Sequence, residues 1–131
     1  MIRRIYLAAD HAGYEMKEEI QKMLLGSGYE VIDQGAHAFD PEDDYPDFVK
    51  LAVGTLSGET NAVAIIFGGS GQGEAIVANR YKGVRAAVFY GGVSAKGAID
   101  VTGATSLNPL EIVRLERAHN NSNVLSIGAR F

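Results

Sequence analysis

Cysteine is absent from the 131 residues, so the chain has no disulfide, no thiolate metal site and no cysteine nucleophile. Basic charge is scarce: 12 Lys and Arg stand against 16 Asp and Glu, a formal net charge of -4. A chain of that balance is not expected to bind nucleic acid wholesale. Long apolar runs are missing too. Nothing is long enough to span a bilayer, and the short run after Met1-Ile2-Arg3-Arg4 does not suit a secretory signal. Neither membrane nor nucleic acid is therefore an expected partner, and the cytoplasm is the expected location. Repeats and low-complexity tracts are also lacking. With 47% hydrophobic and 21% charged residues, the composition predicts one domain, 1–131, with a real core.

Glycine is what the chain has in quantity, 16 residues in all. Four of them fall in Phe67-Gly68-Gly69-Ser70-Gly71-Gln72-Gly73-Glu74. The apolar run Ala62 to Ile66 precedes this stretch and Ala75-Ile76-Val77-Ala78-Asn79-Arg80 follows it, which reads as strand, tight turn, helix start. Glycines let the backbone approach a ligand without Cβ interference. Free N–H groups at the helix head then favour an anion or a developing oxyanion. The bland alternative is a plain strand-to-helix turn. Two familiar phosphate loops fail by residue. A P-loop needs Lys and Ser or Thr where Glu74 and Ala75 stand. The dinucleotide fingerprint fails on its final spacing, and no acid follows the strand at Val84 to Phe89 to hold a ribose. What remains is an anion site with an acid inside it.

Apolar patterning predicts the rest of the frame. Ile5 to Ala9 reads as a buried strand. Met16, Ile20, Met23 and Leu24 recur at helical spacing, and Gly26-Ser27-Gly28 ends that helix. Tyr29 to Asp33 is a second strand. Gln34 to Asp44 is a polar, acidic loop. A helix starts at Tyr45-Pro46, with Phe48, Leu51, Ala52 and Leu56 as its apolar face. Gly91 to Leu107 reads as a long loop with at most a turn of helix. Asn108 is expected to cap the next helix, Pro109 to fill its first turn and Glu111 to reach back in a capping box, the helix running to about Ala118. Asn123 to Ile127 is the fifth strand. Strands alternating with helices predict an α/β fold, a three-layer Rossmann-like sandwich with a five-stranded, mostly parallel sheet. Ligands of such sheets bind beyond the carboxyl ends of the strands. Asp10-His11, the glycine loop and Arg130 would share that rim.

Four motifs then occur in order: Asp10-His11-Ala12-Gly13; Asp44-Tyr45-Pro46; Gly69-Ser70-Gly71-Gln72-Gly73-Glu74 with Ala78-Asn79; and His119-Asn120-Asn121-Ser122-Asn123-Val124 with Gly128-Ala129-Arg130. Together they resemble the ribose-5-phosphate isomerase B family, which includes the galactose-6-phosphate isomerase subunits. The resemblance implies an aldose–ketose isomerase of phosphorylated sugars that uses no metal or organic cofactor. It implies a proton moved between C1 and C2 through an enediolate. Many members place a cysteine base where Gly68 stands. A second branch uses a glutamate inside the loop, and Glu74 occupies its position.

By the same resemblance Ser70 holds or polarises a substrate oxygen, and the amides of Gly69, Gly71, Gln72 and Gly73 form the anion hole. His119 opens the sugar ring, Asn120 binds hydroxyls, and Asp10 positions hydroxyls or assists ring opening. His11 and Arg130 contact phosphate, and Tyr45 lines the pocket. The residues alone leave other readings open. Glu74 reads equally as a first-turn glutamate, Asp10 as a helix cap, His119-Asn120 as a helix C-terminus, Tyr45 as packing and Arg130 as a solvated charge. Sites of the family are built between subunits, so a homodimer or homotetramer is expected. Two departures stand out. The Gly91–Leu107 connection is longer than usual, and the family's C-terminal helix and phosphate-binding tail do not follow Arg130, which is expected to leave apolar sheet surface for a partner chain. The competing expectations are a non-catalytic sugar-phosphate-binding subunit of the same fold and, behind it, a flavodoxin-like nucleotide domain.

Overall fold

The computed structural model describes residues 1–131. Its elements run β1 (Arg4–Ala9), α1 (Tyr14–Gly26), β2 (Glu30–Asp33), α2 (Tyr45–Leu56), β3 (Ala62–Gly68), α3 (Gln72–Ala78), β4 (Ala86–Phe89), α4 (Glu111–Asn120) and β5 (Val124–Gly128). All five strands are parallel, in the order β2-β1-β3-β5-β4. The expected α/β sheet is thus present, and every strand pair in it is parallel.

Side chains alternate across the pleat and build two cores. Ile5, Leu7 and Ala9 of β1 face α1, where Met16, Ile20 and Leu24 meet them together with Phe67. Tyr6 and Ala8 face the other way, onto Val49, Ala52, Val53 and Leu56 of α2 and Ala78 of α3. Each fully buried aliphatic side chain here contributes roughly 1.5–3 kcal/mol, so this double-sided burial of the central strands is what holds the rims in place.

Several local expectations need correction. Leu51 is exposed, and the buried face of α2 is carried by Val49, Ala52, Val53 and Leu56. Met23 is likewise exposed. One residue's rotation on a 3.6-residue helix separates a buried stripe from its edge. The capping box before α4 does not form. Leu110 occupies the cap position, Asn108 Oδ1 accepts from the Leu110 amide in a local turn at 2.9 Å, and Glu111 turns instead to Arg114 and to Ser106. A nearby guanidinium outcompetes a backbone amide for the carboxylate. Helix α4 also runs on to Asn120, where Asn121, left-handed at φ 50°, ends it. Residues 91–107 form no helix.

Two of the buried charges, Lys17 and Glu74, mark how the frame is tied. Lys17 is fully buried and donates to Asp33 Oδ2 at 2.6 Å and to Glu18 Oε1 at 2.8 Å. Asp33 in turn accepts from the Gly35 amide at 2.9 Å, and the Gly35–Ala36 backbone bonds to Ala9 at the end of β1. The second buried charge is Glu74, 3% exposed, which folds back from the first turn of α3 over the end of β3. A Cβ on Gly68 would occupy the space of the Glu74 carboxyl group. Glycine at 68 and glutamate at 74 are therefore one steric unit.

Removing a single partner of a buried ion pair typically costs about 3–5 kcal/mol. Lys17→Met is expected to destabilise by that order in urea unfolding, with part of the loss recovered in Lys17→Met/Asp33→Asn; no loss in the single variant would sink this reading. Overpacking costs about 1–3 kcal/mol. Gly68→Ala should show that cost in the parent and not in a Glu74→Ala background, and equal costs in both backgrounds would contradict the steric pairing.

Candidate active site

The carboxyl ends of β1 and β3 bring Asp10 and the glycine loop to one rim. The loop is shaped by Gly71, left-handed at φ 73°, which no β-carbon would favour. Ser126 of β5, fully buried, donates its hydroxyl to the Gly71 carbonyl at 2.6 Å and fixes that turn from below. The amides of Gly71 and Gly73 donate to no acceptor within the chain. The Gln72 amide is partly used, donating to Ser70 Oγ at 3.3 Å. Ser70 itself is exposed at the loop tip.

Glu74 follows these amides in sequence. Burial pushes its pKa up from the ordinary glutamate value, its own backbone N–H opposes that, and the Asp10 carboxylate raises it further. No cation bears on it. Asp10, also buried, accepts from the Ala12 amide at 3.0 Å and the Gly13 amide at 3.4 Å. Asp10 thus closes the turn before α1, whose cap position is Gly13 and carries no side-chain bond, so the helix-cap reading of Asp10 is not met; its charge raises the Glu74 pKa.

His11 is oriented by Asp43, which the motif reading passed over in favour of Asp44. One oxygen of Asp43 accepts from both the His11 amide and Nδ1–H, each at 2.8 Å. A carboxylate only accepts, so Nδ1 carries the proton and Nε2 is left without a bond inside the chain. That hydrogen bond is the main reason the His11 pKa is raised. Asp10, His11 and Asp43 offer three ligand atoms within 4.8 Å of one another. The Nδ1–H···Asp43 bond makes them a carboxylate-oriented imidazole rather than three free donors.

Tyr45 and Arg130 close the rim. A Cβ on Gly73 would lie 2.6 Å from the Tyr45 hydroxyl, and one on Gly69 would lie 3.0 Å from Arg130 Nη1. Both side chains need those glycines bare. Beyond them, the Gln72 side chain bonds to the Tyr90 hydroxyl, and Tyr90 meets Phe131 edge-on at 5.5 Å.

His119 and Asn120 are not in this group. They end α4, three residues before β5 begins, beside Arg85 at the amino end of β4. A five-residue strand rises about 17 Å at 3.3 Å per residue, so the sheet separates them from Glu74 of the same chain. Sequence reasoning missed Asp43, Ser126 and Lys17. A hydroxyl inside the apolar run Val124 to Ile127, and a lysine in the stripe Lys17-Ile20-Leu24, were the available signals.

Comparison with known proteins gives the context of this rim. The family model described as Ribose/Galactose Isomerase matches residues 5–107. Ribose-5-phosphate isomerase B of Mycobacterium leprae (strain TN) is 38% identical over 128 residues, covering 98% of this chain and 68% of that protein. The probable ribose-5-phosphate isomerase B of Mycoplasma pneumoniae is 35% identical over 97% of this chain and 72% of its own. Among solved structures, ribose-5-phosphate isomerase B from Mycoplasma genitalium with bound ribulose-5-phosphate superposes with a TM-score of 0.82 at 32% identity, covering 100% of this chain and 75% of that one. No helix of this chain is long and apolar enough to cross a membrane. Motifs, topology and both kinds of likeness agree, and the chain belongs to the Ribose/Galactose Isomerase family.

Proposed function

We propose that this protein is a cofactor-independent aldose–ketose isomerase of a phosphorylated sugar, with Glu74 as the base. A pentose 5-phosphate is the first substrate to test, because the Mycoplasma genitalium relative binds ribulose-5-phosphate. The observation that carries the reading is the buried Glu74 carboxylate, without a cation, over Gly68 at the end of a loop whose Gly71 and Gly73 amides are unbonded.

In the reaction Glu74 takes the proton from C2 of the open-chain aldose. The C1 carbonyl oxygen becomes the enediolate oxygen, and the amides of Gly71 and Gly73 receive that charge. The protonated Glu74 then returns its proton to C1, while the O2 proton passes to O1, leaving a C2 ketone. One oxyanion donor contributes roughly 3–4 kcal/mol, and a positioned base about two to four orders of magnitude in rate. Ser70 holds a substrate oxygen, Asp10 a hydroxyl, and Tyr45 lines the sugar. His11, with Nε2 unbonded inside the chain, and Arg130, beside Gly69, meet the phosphate. His119 and Asn120 come from a second copy, since the fold keeps them on the opposite rim.

Three outcomes test this. Glu74→Gln should lower turnover of ribose 5-phosphate by at least about a hundredfold; retained sugar-phosphate binding with no turnover in the parent would instead favour a binding subunit. As a base Glu74 must be ionised, so kcat/KM should rise with pH through a midpoint above 4.5, the ordinary glutamate value. Asp10→Asn, whatever it costs in rate, should move that midpoint down. Because the folded pKa is raised, the proton's stabilising contribution is full below the ordinary value and is lost as pH rises through the raised one. Glu74→Gln should therefore gain more in Tm at pH 7 than at pH 4; an equal gain would contradict the burial argument.

The shared site has its own test. Mixing inactive Glu74→Gln and His119→Ala subunits, unfolded and refolded together, should restore activity to about a quarter of the parent, since half the dimers are mixed and each has one intact site. No recovery would place both residues in one subunit or remove one from the site.

A further inference from the structure

The carboxyl end of α4 is fastened far more heavily than a helix end requires. Its backbone alone closes the helix: the Asn121 amide donates to the Arg117 carbonyl at 3.1 Å and the Ser122 amide to Glu116 at 3.2 Å. That pattern satisfies the last carbonyls. Around it three further side chains converge. Arg117 Nη1 donates to Asn121 Oδ1 at 3.0 Å and to the Ser122 carbonyl at 2.7 Å. Arg85 Nε donates to the Asn121 carbonyl at 2.6 Å, and its Nη1 to Gly83 at 2.9 Å. Asn123 accepts from the Arg85 amide at 2.8 Å and donates to Gly83 at 2.9 Å. The held residue, Asn121, is left-handed at φ 50°. A non-glycine residue keeps that conformation when its surroundings over-determine it.

All of this lies on the surface, where such bonds add little to global stability. What it does fix is the direction of the two residues just before Asn121. We propose that Arg85 and Arg117 are positioning residues: they clamp Asn121 so that His119 and Asn120 project at a set angle toward the site of a second copy. This rests on the role assigned to His119 above. The two arginines act on the reaction through that imidazole, because Arg117 Nη1 and Arg85 Nε and Nη1 are all bonded within their own chain. A misplacement of about 1 Å in a catalytic group can cost a hundredfold in rate.

A double-mutant cycle on the full chain tests the clamp. Arg117→Ala is expected to lower kcat for ribose 5-phosphate by about tenfold to a hundredfold, with KM within about twofold and a small change in Tm. In a His119→Ala background the same substitution should change kcat by less than about twofold. Asn121→Gly keeps the left-handed turn but removes one of the two Arg117 acceptors; it should fold normally and show the same loss in smaller measure. Arg117→Lys should recover part of kcat. Losses from Arg117→Ala and His119→Ala that multiply independently, with His119→Ala itself impaired, would overturn the clamp alone. Full activity of His119→Ala would overturn the role of His119 and the clamp with it.

Discussion

The energetic fact on which the candidate site depends is the burial of a carboxylate with no cation to balance it. Desolvation of an ion is expensive, and a fold tolerates it only when geometry or function compensates. Here the geometric condition is the bare backbone at Gly68, whose missing Cβ is the space Glu74 fills. The end of β3 can carry a side chain of its own or receive one from the first turn of α3, but not both. Seen this way, a base offered from position 68 and a base offered from position 74 are two solutions to one volume constraint. The glutamate solution adds a second carboxylate, Asp10, close enough to push the Glu74 pKa up. A carboxylate of raised pKa is a stronger base than an ordinary one once it is ionised.

Much of the frame could be read from the residues, because burial on both faces of a parallel sheet writes apolar runs that punctuation by glycine separates. The glycine loop was equally legible, since its acid at position 74 ruled out the two common phosphate loops. The misreadings have physical causes. Leu51 and Val53 are both apolar on one helix, and only packing decides which faces the sheet. Glu111 had the spacing for a capping box, but Arg114 lies one turn ahead and offers a stronger partner. Asp43 and Asp44 are adjacent carboxylates; the choice between them rests on which one the His11 amide and imidazole reach, a tertiary fact. Strand order also lay beyond the residues. Placing β5 between β3 and β4 is what puts Ser126 beneath Gly71 and Arg130 beside Gly69.

Topology further explains why one chain makes only part of the constellation. In an all-parallel sheet each helix returns the chain to the opposite rim before the next strand. A residue at a helix C-terminus and one at a strand C-terminus therefore cannot meet within a single such unit. His119 belongs to the first class, Asp10 and the glycine loop to the second. On the role proposed for His119, a second copy is needed because of where α4 ends. On the face that carries α4, a cavity of about 200 Å³ lies between the helix and the sheet, lined by Val63, Ile65, Val113 and Leu125. Glu116 borders it, with one buried oxygen unbonded and a pKa raised by burial.

The contrast between Lys17 and Glu74 sharpens the assignment of roles. Both are buried charges on short helical turns, and neither is exposed by more than 3%. Lys17 is satisfied twice over by carboxylates, and its network ends in the backbone that seats β1. Its charge is spent on holding elements together. Glu74 has no ion pair, follows in sequence two amides that lack partners, and is repelled by Asp10. Only its own backbone N–H offsets its desolvation, and burial outweighs that bond. An unbalanced ion on a loop with unbonded donors is poorly arranged for stability and well arranged for a ligand that brings a transferable proton and takes up negative charge. That asymmetry, more than burial as such, is what separates the structural charge of Lys17 from the reactive role proposed for Glu74.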